Sequence, residues 1–211
     1  MQPTIVLVHG AFAESASWDG VIDSLTSAGH PVIAAANPLR GLASDAAAVS
    51  DLVRTIDGPV VLVAHSYGGA VMTNVAADAG EIVGLVYVAG FAPEPGESAF
   101  TLAGMFPGST LGDAVHPVPR SDGKTDLYID TDRFHSQFCA DVPAEQAARM
   151  AATQRPATAS ASPSPVSVLT PVLGDAGMAS TPCSSSLVTS FDPMRPLPPI
   201  TTIFMCCLSL V

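Results

Sequence analysis

The sequence predicts an α/β protein in which helices flank a parallel sheet on both faces. Short unbroken apolar runs recur at residues 4–8, 31–35, 59–64 and 82–88, as strands buried on both faces require. Helical patterns alternate with these runs at about residues 17–28, 43–56 and 67–79. Such alternation is typical of consecutive βαβ units.

Length, charge and cysteine spacing limit the classes of function. A chain of 211 residues, 48% of them hydrophobic, is long enough to bury one core. The net charge of −11 disfavours nucleic acid and anionic membranes, so we expect a small neutral molecule as partner. The four cysteines lack metal-binding spacing, and neither a metal nor an organic cofactor is expected. The absence of an export-type leader predicts a cytoplasmic protein.

Residues 92–150 depart from the βαβ rhythm and predict an insertion. The Asp122-Gly123 pair lies between two extended segments, which is a hairpin signal, and helical patterns flank it. Insertions of this length usually carry function. We therefore expect a core over residues 1–156 that includes a cap at about 92–150.

The composition changes abruptly after about residue 156. Residues 157–211 are rich in Ser, Thr and Pro and have three charged side chains, Asp175, Asp192 and Arg195. We predict an atypical tail here, replaced or frame-shifted, which the two other reading frames of the coding DNA would test. If the tail forms no regular strands, the sheet keeps an apolar edge, which favours a homodimer.

The run VLVAHSYGGA, residues 61–70, ends a predicted strand at Ser66. A sharp strand-to-helix turn needs small residues two before and two after its centre, and these positions hold Ala64 and Gly68. Such a turn exposes the serine oxygen above the edge of the sheet. Ser66 is therefore a candidate nucleophile, and the alternative is a serine that caps the helix.

Two short segments supply candidate donors to an oxyanion. The amide of Tyr67 opens the helix after Ser66, where negative charge is stabilised. The stretch VLVHGAF, residues 6–12, ends the first strand in a loop. Its amides at Ala11 or Phe12 could face the same point.

Taken together, these motifs resemble the α/β-hydrolase family, in the branch that includes plant methylesterases, hydroxynitrile lyases and bacterial aryl and pyrethroid esterases. The resemblance covers about residues 3–156 and rests on VHGAF, Trp18, AGHPV, HSYGG and YVAGFAPEPGES. Ala64 departs from the common G-x-S-x-G pattern. The resemblance implies a cap and a Ser, Asp, His triad in that chain order.

The resemblance places the acid and the base of the triad after the cap. Asp175, in PVLGDAG, is the better of two acid candidates, and no histidine follows His135. His116 or His135 could act as the base only if the cap brought it within hydrogen-bond reach of Ser66. His9, His30 and His65 are expected to be structural.

The expected function is hydrolysis of small apolar carboxylic esters through Ser66, with the missing late histidine counting against turnover. One alternative is a non-catalytic relative that binds a small apolar ligand. Another is a hydroxynitrile lyase, which the resembling branch supports but which also needs a base.

Overall fold

A computed structural model describes residues 1–94, 97–105, 108–159 and 204–206. Its main sheet has five strands in the order β2-β1-β3-β4-β8, and all of the pairings are parallel. These strands are β1 Thr4–Val8, β2 Val32–Ala35, β3 Pro59–His65, β4 Glu81–Val88 and β8 Phe204–Cys206. The predicted α/β class with a parallel sheet is confirmed.

Helices connect the strands of this sheet. They are α1 Asp19–Ser27, α2 Leu42–Arg54 and α3 Tyr67–Thr73, and a short 3₁₀ turn at Ser15–Trp18 precedes α1. The main core packs α2 and α3 against β1, β3 and β4, with Val6, Val49, Leu62, Val71 and Tyr87 among its buried side chains. The strand members of this core, such as Val6 and Leu62, come from the unbroken apolar runs of the sequence.

The predicted helix at 67–79 is too long, since α3 ends at Thr73. The hydroxyl of Thr73 donates to the carbonyl of Gly69, and the side-chain amide of Asn74 donates to the carbonyl of Ala70. Side chains that bond the carbonyl four residues earlier compete with the helix backbone. The apolar residues that follow still reach the core, because Val75 and Ala79 are buried outside the helix.

A second sheet, antiparallel, lies in residues 111–159, which we call the antiparallel unit. It contains β5 Val115–Pro119, β6 Thr125–Ile129 and β7 Ala157–Ala159, with helices α5 Phe134–Phe138 and α6 Ala144–Thr153. The predicted hairpin at Asp122-Gly123 is confirmed, and Gly123 has the positive φ of 78° that its turn needs. A further helix, α4 Ala99–Gly104, precedes the unit.

The antiparallel unit has a small core of its own that reaches the main sheet. Phe134, Ile129, Ala114 and Ala147 are buried together, and Phe12 from the loop after β1 packs among them. The rings of Phe12 and Phe138 meet edge to face at 6.2 Å. The loop that carries Phe12 is therefore held between the two sheets.

In the part of the chain that the structure describes, no helix is both long and apolar enough to cross a bilayer.

Candidate active site

The order of the sheet places the predicted site where the connections change direction. In the sheet, β2 lies on one side of β1 and β3 lies on the other side. The next strand, β4, lies beyond β3. Ligands of open α/β sheets bind outside the carboxyl ends of the strands at this point. Gly10 follows β1 and Ser66 follows β3, so both lie at this position.

Ser66 forms a strained turn between β3 and α3. Its φ is 52° and its ψ is −126°, a conformation that costs a non-glycine residue about 1–3 kcal/mol. The carbonyl of Ser66 accepts the amides of Gly69 and Phe91, both at 3.0 Å. These bonds from α3 and from the loop after β4 hold the turn in place.

Glycines let neighbouring backbone reach Ser66. A Cβ atom at Gly10 would lie 2.8 Å from the Cβ of Ser66, and a Cβ at Gly68 would lie 2.5 Å from the carbonyl oxygen of Val8. Side chains at these positions would collide with their neighbours. The structure thus brings the loop after β1 against the predicted nucleophile, as the two motifs predicted.

The predicted oxyanion donors belong to the two segments that meet at Ser66. Tyr67 is the first residue of α3, whose opening amides have no partner within the helix. Ala11 and Phe12 directly follow Gly10, and Phe12 has a positive φ of 63°. An oxyanion between these segments would receive amides from two different loops, and both Ala11 and Phe12 stay open as the second donor.

One contact of Tyr67 was not predicted. Its hydroxyl donates to the carboxylate of Asp45 at 2.9 Å, and Asp45 is fully buried. Burial, and after it the Asp45 charge, raises the pKa of Tyr67 far above its ordinary value. The sequence offered one signal, an acidic residue early in the helix that follows the Arg40-Gly41 turn.

His9 and His65 lie within the motifs around the site. His9 is buried; its Nδ1 bonds the carbonyl of Gly10 at 3.0 Å, and its Nε2 has no partner among the described residues. Burial lowers the pKa of both His9 and His65. Asn37 fixes the same strand end, because its amide donates to the carbonyl of His9 at 3.0 Å.

The histidines of the antiparallel unit are engaged elsewhere. His116 bonds the Asp130 carboxylate at 2.7 Å and stacks on Tyr128. His116 pairs with Tyr128 in the hairpin. Val115, the residue before it, packs in the cluster with Phe12, and neighbouring residues of a strand point to opposite faces, so His116 faces away from that cluster. His135 uses Nε2 to bond the carbonyl of Val142 at 2.8 Å. Asp175, the predicted acid, lies outside the described residues.

The lowered pKa of His9 predicts a fold that weakens on acidification. The pKa of histidine in the unfolded chain is 6.5. As the pH falls below this value, His9 is protonated in the unfolded chain before it is protonated in the fold, so the free energy of unfolding falls. The slope for one group is at most about 1.4 kcal/mol per pH unit. The free energy of unfolding is measured with urea at several pH values from about 7 to about 5. Its dependence on pH should be weaker for His9→Gln than for wild type. Equal slopes would contradict it.

Comparison with known proteins supports this picture of the fold. The chain resembles the structure of the pyrethroid hydrolase PytH, with 24% identity, a TM-score of 0.57, and coverage of 68% of this chain and 64% of the other. It resembles polyneuridine aldehyde esterase with 19% identity and a TM-score of 0.62, over 75% of this chain and 70% of the other. These likenesses show the same fold.

A sequence relative and a family model extend the comparison. A carbendazim hydrolyzing esterase from Nocardioides sp. (strain SG-4G) is 34% identical over 110 residues, which cover 46% of this chain and 46% of the relative. The chain thus matches about half the length of that esterase. The model of the alpha/beta hydrolase family matches residues 5–204, nearly the whole sequence. The chain belongs to the alpha/beta hydrolase family.

Proposed function

We propose that this protein hydrolyses small apolar carboxylic esters with Ser66 as the nucleophile. The observation that carries the proposal is the strained turn at Ser66, with φ of 52°, packed against Gly10 in the loop after β1. A backbone held in a sparsely populated conformation persists only where the surroundings fix it, and such positions cluster at active sites.

In the proposed reaction, a base takes the proton of the Ser66 hydroxyl while the Ser66 oxygen attacks the ester carbonyl and forms a tetrahedral oxyanion. The base later gives this proton to the departing alcohol. The amides of Tyr67 and of Ala11 or Phe12 stabilise that charge. Collapse of the intermediate expels the alcohol and leaves an acyl group on Ser66. Water then releases the acid and restores the serine.

The surroundings of the loop after β1 favour an apolar substrate. Phe12 is itself one of the two proposed donors in this loop, and its ring meets that of Phe138 edge to face. Ala114, Ile129 and Phe134 of the antiparallel unit pack in the same cluster. We propose that the antiparallel unit acts as a cap that offers this apolar surface to the ester. The names of the carbendazim hydrolyzing esterase and of the pyrethroid hydrolase support an esterase-type reaction.

The proposed reaction needs a base that takes the proton of Ser66. In the described residues, the hydrogen bonds of His9, His116 and His135 go to partners other than Ser66. This observation favours a second candidate function, in which the protein holds a small apolar ligand beside Ser66 without turnover. A cyanohydrin lyase stays an alternative that product analysis with a cyanohydrin would test. A cytoplasmic location and a homodimer stay predictions.

Hydrolysis of a short-chain aryl ester by wild type and by Ser66→Ala tests the proposal. Both proteins are used at equal concentration, and circular dichroism checks that both are folded. A rate that falls to background in Ser66→Ala supports the esterase. Equal rates in two folded proteins contradict the esterase and favour ligand binding.

A further inference from the structure

The side chain of Tyr67 ties the proposed oxyanion donor to a buried carboxylate. Tyr67 follows Ser66 directly, and its hydroxyl donates to Oδ2 of Asp45 at 2.9 Å. Asp45 has no exposed surface. Because α3 has only seven residues, its first residue depends on such tertiary contacts for its position.

Asp45 is itself fixed by the turn that opens α2. Its carboxylate accepts the amide of Arg40 at 2.8 Å and the amide of Gly41 at 3.3 Å. The hydroxyl of Ser44 donates to the carbonyl of Gly41 at 2.8 Å and so closes the same turn. A carboxylate that receives several donors is held in one orientation, so it presents a fixed acceptor to Tyr67.

The same turn binds the antiparallel unit. The guanidinium of Arg40 donates to Asp126 at 2.6 Å, to the hydroxyl of Thr158 at 3.1 Å and to the carbonyl of Pro156 at 3.1 Å. The carbonyl of Leu39 accepts the amide of Thr158 at 3.0 Å. One short segment, residues 39–45, therefore contacts both the turn at Ser66 and the unit that we propose as the cap.

We propose that Asp45 is a positioning residue, which sets the amide of Tyr67 for the oxyanion through the Tyr67 hydroxyl. The proposal rests on the proposed function, since the amide matters only if an oxyanion forms beside it. Donors must lie within hydrogen-bond distance of the oxyanion, and misplacement by about 1 Å can cost about a hundredfold in rate. Arg40 bonds both Asp45 and the antiparallel unit, so the position of that unit is linked to the position of Asp45.

Kinetics of two single variants, their double variant and one control test this role. Tyr67→Phe and Asp45→Asn are each expected to lower kcat about tenfold while KM changes less than about twofold, because the donor acts on the transition state. The double variant should lose no more than either single variant. Tyr87→Phe is the matched control, since it removes another buried phenol, bonded to Thr73 on α3 at 2.9 Å. Equal losses in kcat for Tyr87→Phe would overturn the proposal.

A spectroscopic measurement tests the coupling without hydrolysis. Ser66-Tyr67 is the only Ser-Tyr pair in the sequence, so ¹³C-carbonyl serine with ¹⁵N-tyrosine reports this one amide by NMR. Asp45→Asn should shift that resonance more than Tyr87→Phe does. If Asp45→Asn does not fold, Tyr67→Phe is labelled with ¹³C-carbonyl serine and ¹⁵N-phenylalanine. Wild type labelled in this way shows the Ser190-Phe191 amide, so the additional resonance in the variant belongs to residue 67.

The two measurements separate the two proposals. If the amide resonance moves as expected and wild type shows no hydrolysis that depends on Ser66, the proposed function fails and the coupling stands. If the resonance moves no further than in Tyr87→Phe, the positioning role is overturned whatever the rate of hydrolysis.

Discussion

Imidazole added to the buffer is expected to raise hydrolysis of a short-chain aryl ester by wild type about ten- to a hundredfold. A positioned general base contributes about 10²- to 10⁴-fold. Ring nitrogens of His9, His116 and His135 form hydrogen bonds in the structure, and the partners of these bonds are residues other than Ser66. A small base from solution can replace part of what a histidine beside Ser66 would do.

The controls separate this effect from direct attack by imidazole on the ester. Ser66→Ala should show only the increase that imidazole causes in the absence of protein. Ser17→Ala, which removes an exposed hydroxyl bonded to the Glu14 carbonyl at 2.7 Å, should respond like wild type. An equal response in all three proteins would show that Ser66 is not the nucleophile.

Gly68→Ala is expected to destabilise the protein by about 3 kcal/mol or to prevent folding. The new Cβ would lie 2.5 Å from the carbonyl oxygen of Val8 and 2.8 Å from that of His9. Both are backbone atoms at the end of β1, which is paired on both sides, so neither can move away. Folded proteins of ordinary size are stable by only about 5–15 kcal/mol.

Urea unfolding followed by circular dichroism measures this loss. Gly20→Ala is the matched control, because Gly20 lies in α1 and a Cβ there would meet nothing within 4 Å. That change should stabilise the helix by up to about 1 kcal/mol. If Gly68→Ala and Gly20→Ala have the same stability, β1 and α3 are not in the close contact described.

The parts of this fold that were predictable are those with a local signal. Unbroken apolar runs predicted β1 to β4, and the small residues around Ser66 predicted its turn. The end of α3 was missed because Thr73 and Asn74 stop it through side-chain bonds, while the apolar pattern continues beyond them. Periodicity alone cannot distinguish a buried helix from a buried irregular segment.

The contacts that join distant segments could not be predicted. Asp45 and Tyr67 are 22 residues apart, and no spacing rule connects a helix carboxylate with a phenol on another element. Arg40 and Asp126 are separated by 86 residues. An ion pair of this kind depends on how two sheets are placed, which a single sequence does not reveal. Asp175, the predicted acid, stays a prediction.

The bonds that hold Ser66 come from a short part of the chain. Its carbonyl is bonded by Gly69 and Phe91, and Gly10 packs against its side chain. All of these residues are made before the antiparallel unit during synthesis, and domains fold from the N-terminal side as they emerge. Insertion or replacement in the later sequence therefore removes none of these three contacts, and what it alters is the set of side chains that approaches Ser66 from the antiparallel unit.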